Sequence, residues 1–160
     1  MDMTLIAQTF ALALPAMWLT LGVRDNLLHP DLNETYTAQV FSLERMKQEY
    51  PEDYARIQHR AVTNRKVQRA AFRLVVIAEL LTVIVLWIGV VLLVLSLLAS
   101  VPVSTARSVA MLGALMFTMI WGMFTVVGEH FSYWFCHEGA QTTHFQMTLW
   151  GMANLILLNL

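Results

Sequence analysis

Long apolar segments with almost no charge constrain this chain more than any other feature of its sequence. Four such segments occur, at residues 4–23, 74–99, 109–127 and 144–160. At about 1.5 Å per residue, a helix of about 20 residues crosses a hydrocarbon core of about 30 Å. The whole chain is 58% hydrophobic and 13% charged, whereas soluble domains are roughly a quarter charged. The sequence therefore predicts an all-α membrane protein with four transmembrane helices.

The connection between the first two predicted spans, residues 24–73, is unusually long. Four crossings would place it on the same face as the short connection 128–143, and we call this the loop face. Pro51, followed by two acidic residues, is typical of a helix start. Apolar residues recur at helical spacing on both sides of it. Residues 36–73 are therefore predicted to be a partly helical, interfacial segment, and residues 1–160 to form a single four-helix membrane domain.

The positive charge of the chain is concentrated in the same long connection. Nine of its ten Lys and Arg residues lie in residues 24–73, and the tenth is Arg107. Basic residues near membrane spans favour the cytoplasmic side. This pattern predicts that the loop face is cytoplasmic.

Small residues follow one side of the third predicted span at four-residue spacing. They are Ala106, Ala110, Ala114, Thr118 and Gly122. Because lipid provides no hydrophobic drive between helices, membrane helices associate by close packing and polar contacts, and small residues permit close approach. We expect another helix to pack on Ala110, Ala114, Thr118 and Gly122.

Carboxylates at membrane depth are the most informative residues. Glu79 is the sixth residue of the second span, Glu129 ends the third, and Asp25 follows the first. An unpaired charge at the centre of a spanning helix costs about 2.5–3.5 kcal/mol, so Glu79 needs a partner or a proton. We predict that the three acids share one level and form an inward ion-pair network with basic side chains. The candidate counter-charges are Arg24, Arg60, Arg69 and Arg73.

A proton or cation pathway through these acids is the alternative. It would need further polar residues deeper in the membrane, and few are present. They are Gln8, Thr82, Thr118 and Asn154.

The segment GEHFSYWFCHEGAQTTHF, residues 128–145, holds the only cysteine of the chain and three histidines. Its spacing does not match the tight Cys and His pairs of structural zinc sites, and adjacency of Cys136 and His137 does not make a nucleophilic pair. A b-type haem between His130 and His144 is conceivable because axial histidines can come from different helices. Aromatic residues such as Trp134 commonly anchor at headgroups. We interpret the segment as a polar turn and expect no cofactor, no metal and no enzymatic activity.

Several short motifs resemble a family of predicted small integral membrane proteins in bacteria, domain of unknown function 2165. They are RAVT (60–63), AELLT (78–82), GEHFSYW (128–134), LILLN (155–159), VFSLE (40–44) and Asp25. The resemblance implies a four-helix inner-membrane protein with a long first connection and no enzymatic activity. It carries Arg60, Glu79, Glu129 and Trp134 over as motif positions, whereas His130 and Cys136 depart from the family pattern.

Two functions follow as hypotheses. The first is a non-catalytic accessory or assembly subunit of a larger respiratory or photosynthetic inner-membrane complex. The second is a small carrier or binding protein for a proton, a cation, a quinone or haem at the level of Glu79 and Glu129. The polar cluster expected in either case comprises Asp25, Arg60, Arg73, Glu79, Glu129 and Trp134. Expected partners are membrane lipids and other integral membrane subunits, and no nucleic acid.

Overall fold

The computed structural model describes residues 2–160, and this part of the chain is helical with short connections and no strand. The helices are α1 (Met3–Leu28), α2 (Pro30–Phe41), α3 (Glu44–Glu49), α4 (Pro51–Ile57), α5 (Arg65–Leu97), α6 (Val103–His130) and α7 (Glu138–Leu158). Two 3₁₀ turns, Gln58–Arg60 and Tyr133–Phe135, complete the described chain. The predicted all-α class is confirmed.

Three of the helices, α1, α5 and α6, are long and apolar enough to cross a membrane. They contain the first three predicted spans. The fourth predicted span lies in α7, which has 21 residues but is not among the helices that are sufficiently apolar. The first half of α7 explains this, because it contains Gln141, Thr142, Thr143, His144 and Gln146. The number of spans supported by length and composition is therefore three.

Local sequence signals set several helix starts. The Asp2 carboxylate accepts the backbone N–H of Leu5 at 3.1 Å, and Asn64 caps α5 by accepting the N–H of Lys66 at 3.0 Å. Such side-chain caps satisfy backbone donors that have no partner within the helix. Pro51 is the first residue of α4, as predicted. The helix α5 starts nine residues before the predicted second span. Arg65, Arg69 and Arg73 are therefore part of this helix, and its geometry fixes their positions along it.

The long helices pack at glycines and small residues. A Cβ atom on Gly89 of α5 would lie 2.8 Å from the Cα of Ala110, and one on Gly113 of α6 would lie 3.1 Å from the Cα of Leu86. These two pairs define an antiparallel register between α5 and α6. Gly151 of α7 lies against Thr118 in the same way.

The small residues of α6 therefore serve two neighbouring helices. Ala110 and Ala114 are buried, and Ala110 lies on the α5 side. Thr118 and Gly122 lie on the α7 side, with Gly122 facing Thr148. This stripe is used for packing within the chain.

Residues 30–62 form a second layer over the loop face, which we call the cap. Phe41 stacks on Phe131 with ring centroids 4.7 Å apart, and the N–H of Val62 donates to the carbonyl of Phe41 at 2.8 Å. A small apolar cluster joins Leu43 and Met46 of the cap to Phe131 and Cys136 of the connection between α6 and α7. The predicted interfacial segment is thus helical and packs on the connection between α6 and α7.

Candidate functional site

The candidate site is built around Glu79, which is only 5% exposed although it carries a carboxyl group. Asn26 of α1 donates its side-chain N–H to Glu79 Oε2 at 2.9 Å. Asn33 of α2 donates in turn to Asn26 Oδ1 at 2.6 Å. Asn33 is exposed. Two amides therefore connect a buried carboxyl group in α5 to the surface of the cap.

The predicted arginine partner of Glu79 is wrong. Within residues 2–160, no Lys, Arg or His nitrogen lies within 4.0 Å of its carboxyl group. The physical reason is the early start of α5. Arg73 lies six residues before Glu79, about 9 Å along the helix axis, and its side chain is exposed.

The other predicted members of the ion-pair network have separate surroundings. Asp25 pairs with Arg24 at 2.8 Å, and both side chains are more than half exposed. Arg69 pairs with Glu34 of α2 at 3.1 Å. Arg60 donates to the carbonyl of His130 at 3.4 Å. The network is replaced by separate contacts, several of which join the cap to its neighbours.

Glu129 does not share the level of Glu79, so this part of the prediction is also wrong. The register between α5 and α6 places Glu79 opposite Ile120. Glu129 lies nine residues further along α6, roughly 13 Å closer to the loop face. It is exposed and borders an open depression of about 540 Å³ with Trp134 and Glu138. The prediction took the depth of each acid from its distance to the end of its own apolar segment. That distance does not account for where the neighbouring helices begin.

An aromatic cluster between α6 and α7 was missed by the sequence analysis. The ring of His144 lies 4.8 Å from that of Phe124, 5.4 Å from that of Trp121 and 5.9 Å from that of Tyr133. Three of its polar atoms are buried without a hydrogen-bond partner in the described chain: Trp121 Nε1, Tyr133 Oη and His144 Nδ1. The signal for this cluster in the sequence is the recurrence of aromatic and histidine residues from Trp121 to His144. Those of the polar turn were expected only to anchor at headgroups.

The two histidines of the suggested haem site have different surroundings. His130 is exposed at the end of α6, with its ring 5.0 Å from that of Phe131. His144 is instead surrounded by the rings of Trp121, Phe124 and Tyr133.

The neighbouring Cys136 and His137 belong to the contact between the cap and the connection. His137 Nδ1 lies 3.0 Å from the hydroxyl of Tyr36 in α2, and Arg45 of α3 donates to the carbonyl of Cys136. Burial and the nearby charge of Arg45 lower the pKa of His137, while Glu49 partly opposes this. Burial raises the pKa of the Cys136 thiol, and thiolate is the reactive form. The arrangement stabilises a contact and does not activate a nucleophile.

No group of three or more His, Cys, Asp or Glu residues in the described part of the chain is placed to hold a metal ion. The remaining features are three apolar helices, a buried carboxyl group and a helical cap. A family model described as "predicted small integral membrane protein (DUF2165)" matches residues 4–160.

The chain belongs to this family.

The match extends over almost the whole sequence, so the resemblance seen in its short motifs is confirmed. It supports an integral membrane protein that contacts lipids. Comparison with curated proteins and with solved structures found no match.

Proposed function

We propose that this chain is a non-catalytic accessory or assembly subunit of a larger complex in a bacterial inner membrane, respiratory or photosynthetic. The observation that carries the proposal is the set of exposed polar side chains in the first half of α7. Few residues of that helix are fully buried within the chain.

The helix α7 contributes few buried residues to the bundle: Gly151, Asn154 and Leu158. In its first half, Thr142 and Gln146 are exposed. The hydrocarbon core of a bilayer cannot accept or donate hydrogen bonds, so polar side chains at that depth are satisfied by other helices. A helix of a second subunit, seated against this side, would satisfy both side chains and let α7 serve as the fourth span.

The interior of the bundle favours this function over transport. Gln8 is a buried polar residue near the face opposite the loop face, and Glu79 is a buried polar residue nearer the loop face. Between them lie fully buried apolar side chains, including Leu12, Leu86 and Phe117. The buried polar side chains between these ends, Thr82 and Asn154, donate to carbonyls of their own helices, Ala78 and Trp150. This arrangement favours helix packing over a polar path.

Co-purification tests the proposal. The tagged chain, extracted in mild detergent, is expected to bring down at least one membrane protein in constant stoichiometry, identified by mass spectrometry. Thr142→Val and Gln146→Leu should reduce its recovery. Thr105→Val, at an exposed threonine of α6, is the matched control and should not. A chain that purifies alone would contradict the proposal, and equal recovery with all variants would exclude α7 as the contact.

A second candidate function is binding of a proton, a cation or a quinone-like molecule from the loop face. The amide chain from exposed Asn33 through Asn26 to Glu79 favours it. Glu79→Gln should then abolish binding or flux in proteoliposomes while the protein stays folded. Unchanged activity in that variant would remove this candidate.

A further inference from the structure

We propose that Arg107 and the groove between α6 and α7 bind one anionic phospholipid of the bilayer, on the face opposite the cap. The phosphate would lie at the guanidinium group, and an acyl chain would lie in the groove. The proposal is independent of the subunit function.

A fully buried polar side chain holds Arg107 in place. Gln8 of α1 is 0% exposed, and its Oε1 accepts a hydrogen bond from Arg107 Nε at 3.0 Å. Its Nε2 donates to the carbonyl of Leu157 in α7 at 2.8 Å. The oxygen and the nitrogen of the Gln8 amide are therefore both hydrogen-bonded. These two bonds hold the guanidinium group of Arg107 where α1, α6 and α7 meet. An arginine that only extended freely to the headgroups would not need such a support.

The remaining donors of Arg107 are available for an anion. Its Nη1 and Nη2 atoms make no hydrogen bond to the described residues, and no carboxylate of residues 2–160 lies within 4.0 Å. Arg107 is also the only Lys or Arg residue outside residues 24–73, so no other lysine or arginine side chain competes for an anion on this face. Because Nε is bonded to Gln8, the free edge of the guanidinium group is the Nη1–Nη2 edge, which matches a phosphate oxygen pair.

The apolar half of the proposed site is a groove of about 470 Å³ beside Arg107. It is lined by Ser108, Met111, Leu112, Leu115, Leu155, Ile156 and Asn159. Met111 lies one helical turn from Arg107, on the same side of α6. A phosphate at Arg107 would lie within about one helical turn of this apolar groove, which begins at Ser108. This proximity favours a lipid over a free anion.

Lipid titration followed by native mass spectrometry tests the assignment. The purified chain in detergent is titrated with phosphatidylglycerol and, separately, with phosphatidylcholine of identical acyl chains. Wild type should bind phosphatidylglycerol about tenfold more tightly, because both lipids offer a phosphate but the choline cation of phosphatidylcholine repels Arg107 and offsets the phosphate charge. Arg107→Gln should abolish the preference. The matched control Arg56→Gln, at an exposed arginine of the cap, should retain it.

Two further variants separate loss of lipid binding from loss of folding and from binding of a free anion. Arg107→Lys keeps the charge and should retain a weaker preference, so it replaces Arg107→Gln if that variant does not elute as a folded species. Leu155→Trp, which fills the groove, should weaken binding of both lipids. Equal binding of the two lipids to wild type would overturn the proposal. Displacement of phosphatidylglycerol by inorganic phosphate, with unchanged binding in Leu155→Trp, would show a simple anion site and would also overturn it.

Discussion

Gly89 lies at the closest approach of α5 and α6, and its replacement by alanine is expected to force the two helices apart. The added Cβ would lie 2.8 Å from the Cα of Ala110, 3.2 Å from its backbone nitrogen and 3.1 Å from Leu12 Cδ2. Two of these atoms are backbone, so they cannot turn aside as a flexible side chain would. Overpacking of this kind costs about 1–3 kcal/mol, and the better helix propensity of alanine offsets about 0.5–1 kcal/mol of that. We expect a net destabilisation of about 1–2 kcal/mol by these figures.

Gly22→Ala is the matched control, since it makes the same chemical change on α1 where no atom lies within 4 Å of the added Cβ. It should be neutral or stabilising by up to about 1 kcal/mol. Thermal unfolding in detergent, followed by fluorescence-detected size exclusion, should rank Tm as Gly22→Ala at or above wild type and Gly89→Ala below it. If Gly89→Ala matched Gly22→Ala, the close packing of α5 on α6 would be refuted.

Two further predictions concern the polar contacts. Glu79→Gln keeps an acceptor for Asn26 and should unfold at a Tm close to that of wild type, whereas Glu79→Ala leaves the buried amide unpaired and should cost about 1–3 kcal/mol; equal losses in both variants would contradict the hydrogen bond. Burial and Arg45 lower the pKa of His137 from 6.5, so its stabilising effect is complete above pH 6.5 and is lost as pH falls through the lower folded-state pKa. Wild type should therefore lose more Tm between pH 7.5 and pH 5 than His137→Gln, and parallel losses would argue against this assignment.

The elements of the fold were more predictable than the candidate site. Pro51 marked the start of α4, and the small residues of α6 indicated close packing, because both signals are local. Glu79 was recognised as a residue that needs a partner, since the cost of a charge in lipid depends only on its place in an apolar run. Its actual partner, Asn26, was not predicted. Nothing in the spacing of Asn26 distinguishes it from other polar residues near the end of α1.

In the cap too, local helices could be predicted from the sequence but long-range contacts could not. Its helices were partly expected from periodicity, whereas the stacking of Phe41 on Phe131 and the contact of Tyr36 with His137 join segments about 90–100 residues apart in sequence. Such contacts depend on how the connection folds back over α6. Arg69 and Arg73 lie in α5 itself, ten and six residues before Glu79, so the helix places both nearer the loop face.

The sequence by itself determined that the chain forms apolar helices in a membrane. In lipid the backbone must satisfy its own hydrogen bonds, and a helix does so within each segment. Only the tertiary structure decided which side chains meet. Each residue advances a helix by about 1.5 Å and turns it by about 100°, so the register between two helices decides which of their side chains face each other. That register is set by the packing of Gly89 on Ala110 and of Gly151 on Thr118, and no single segment contains it.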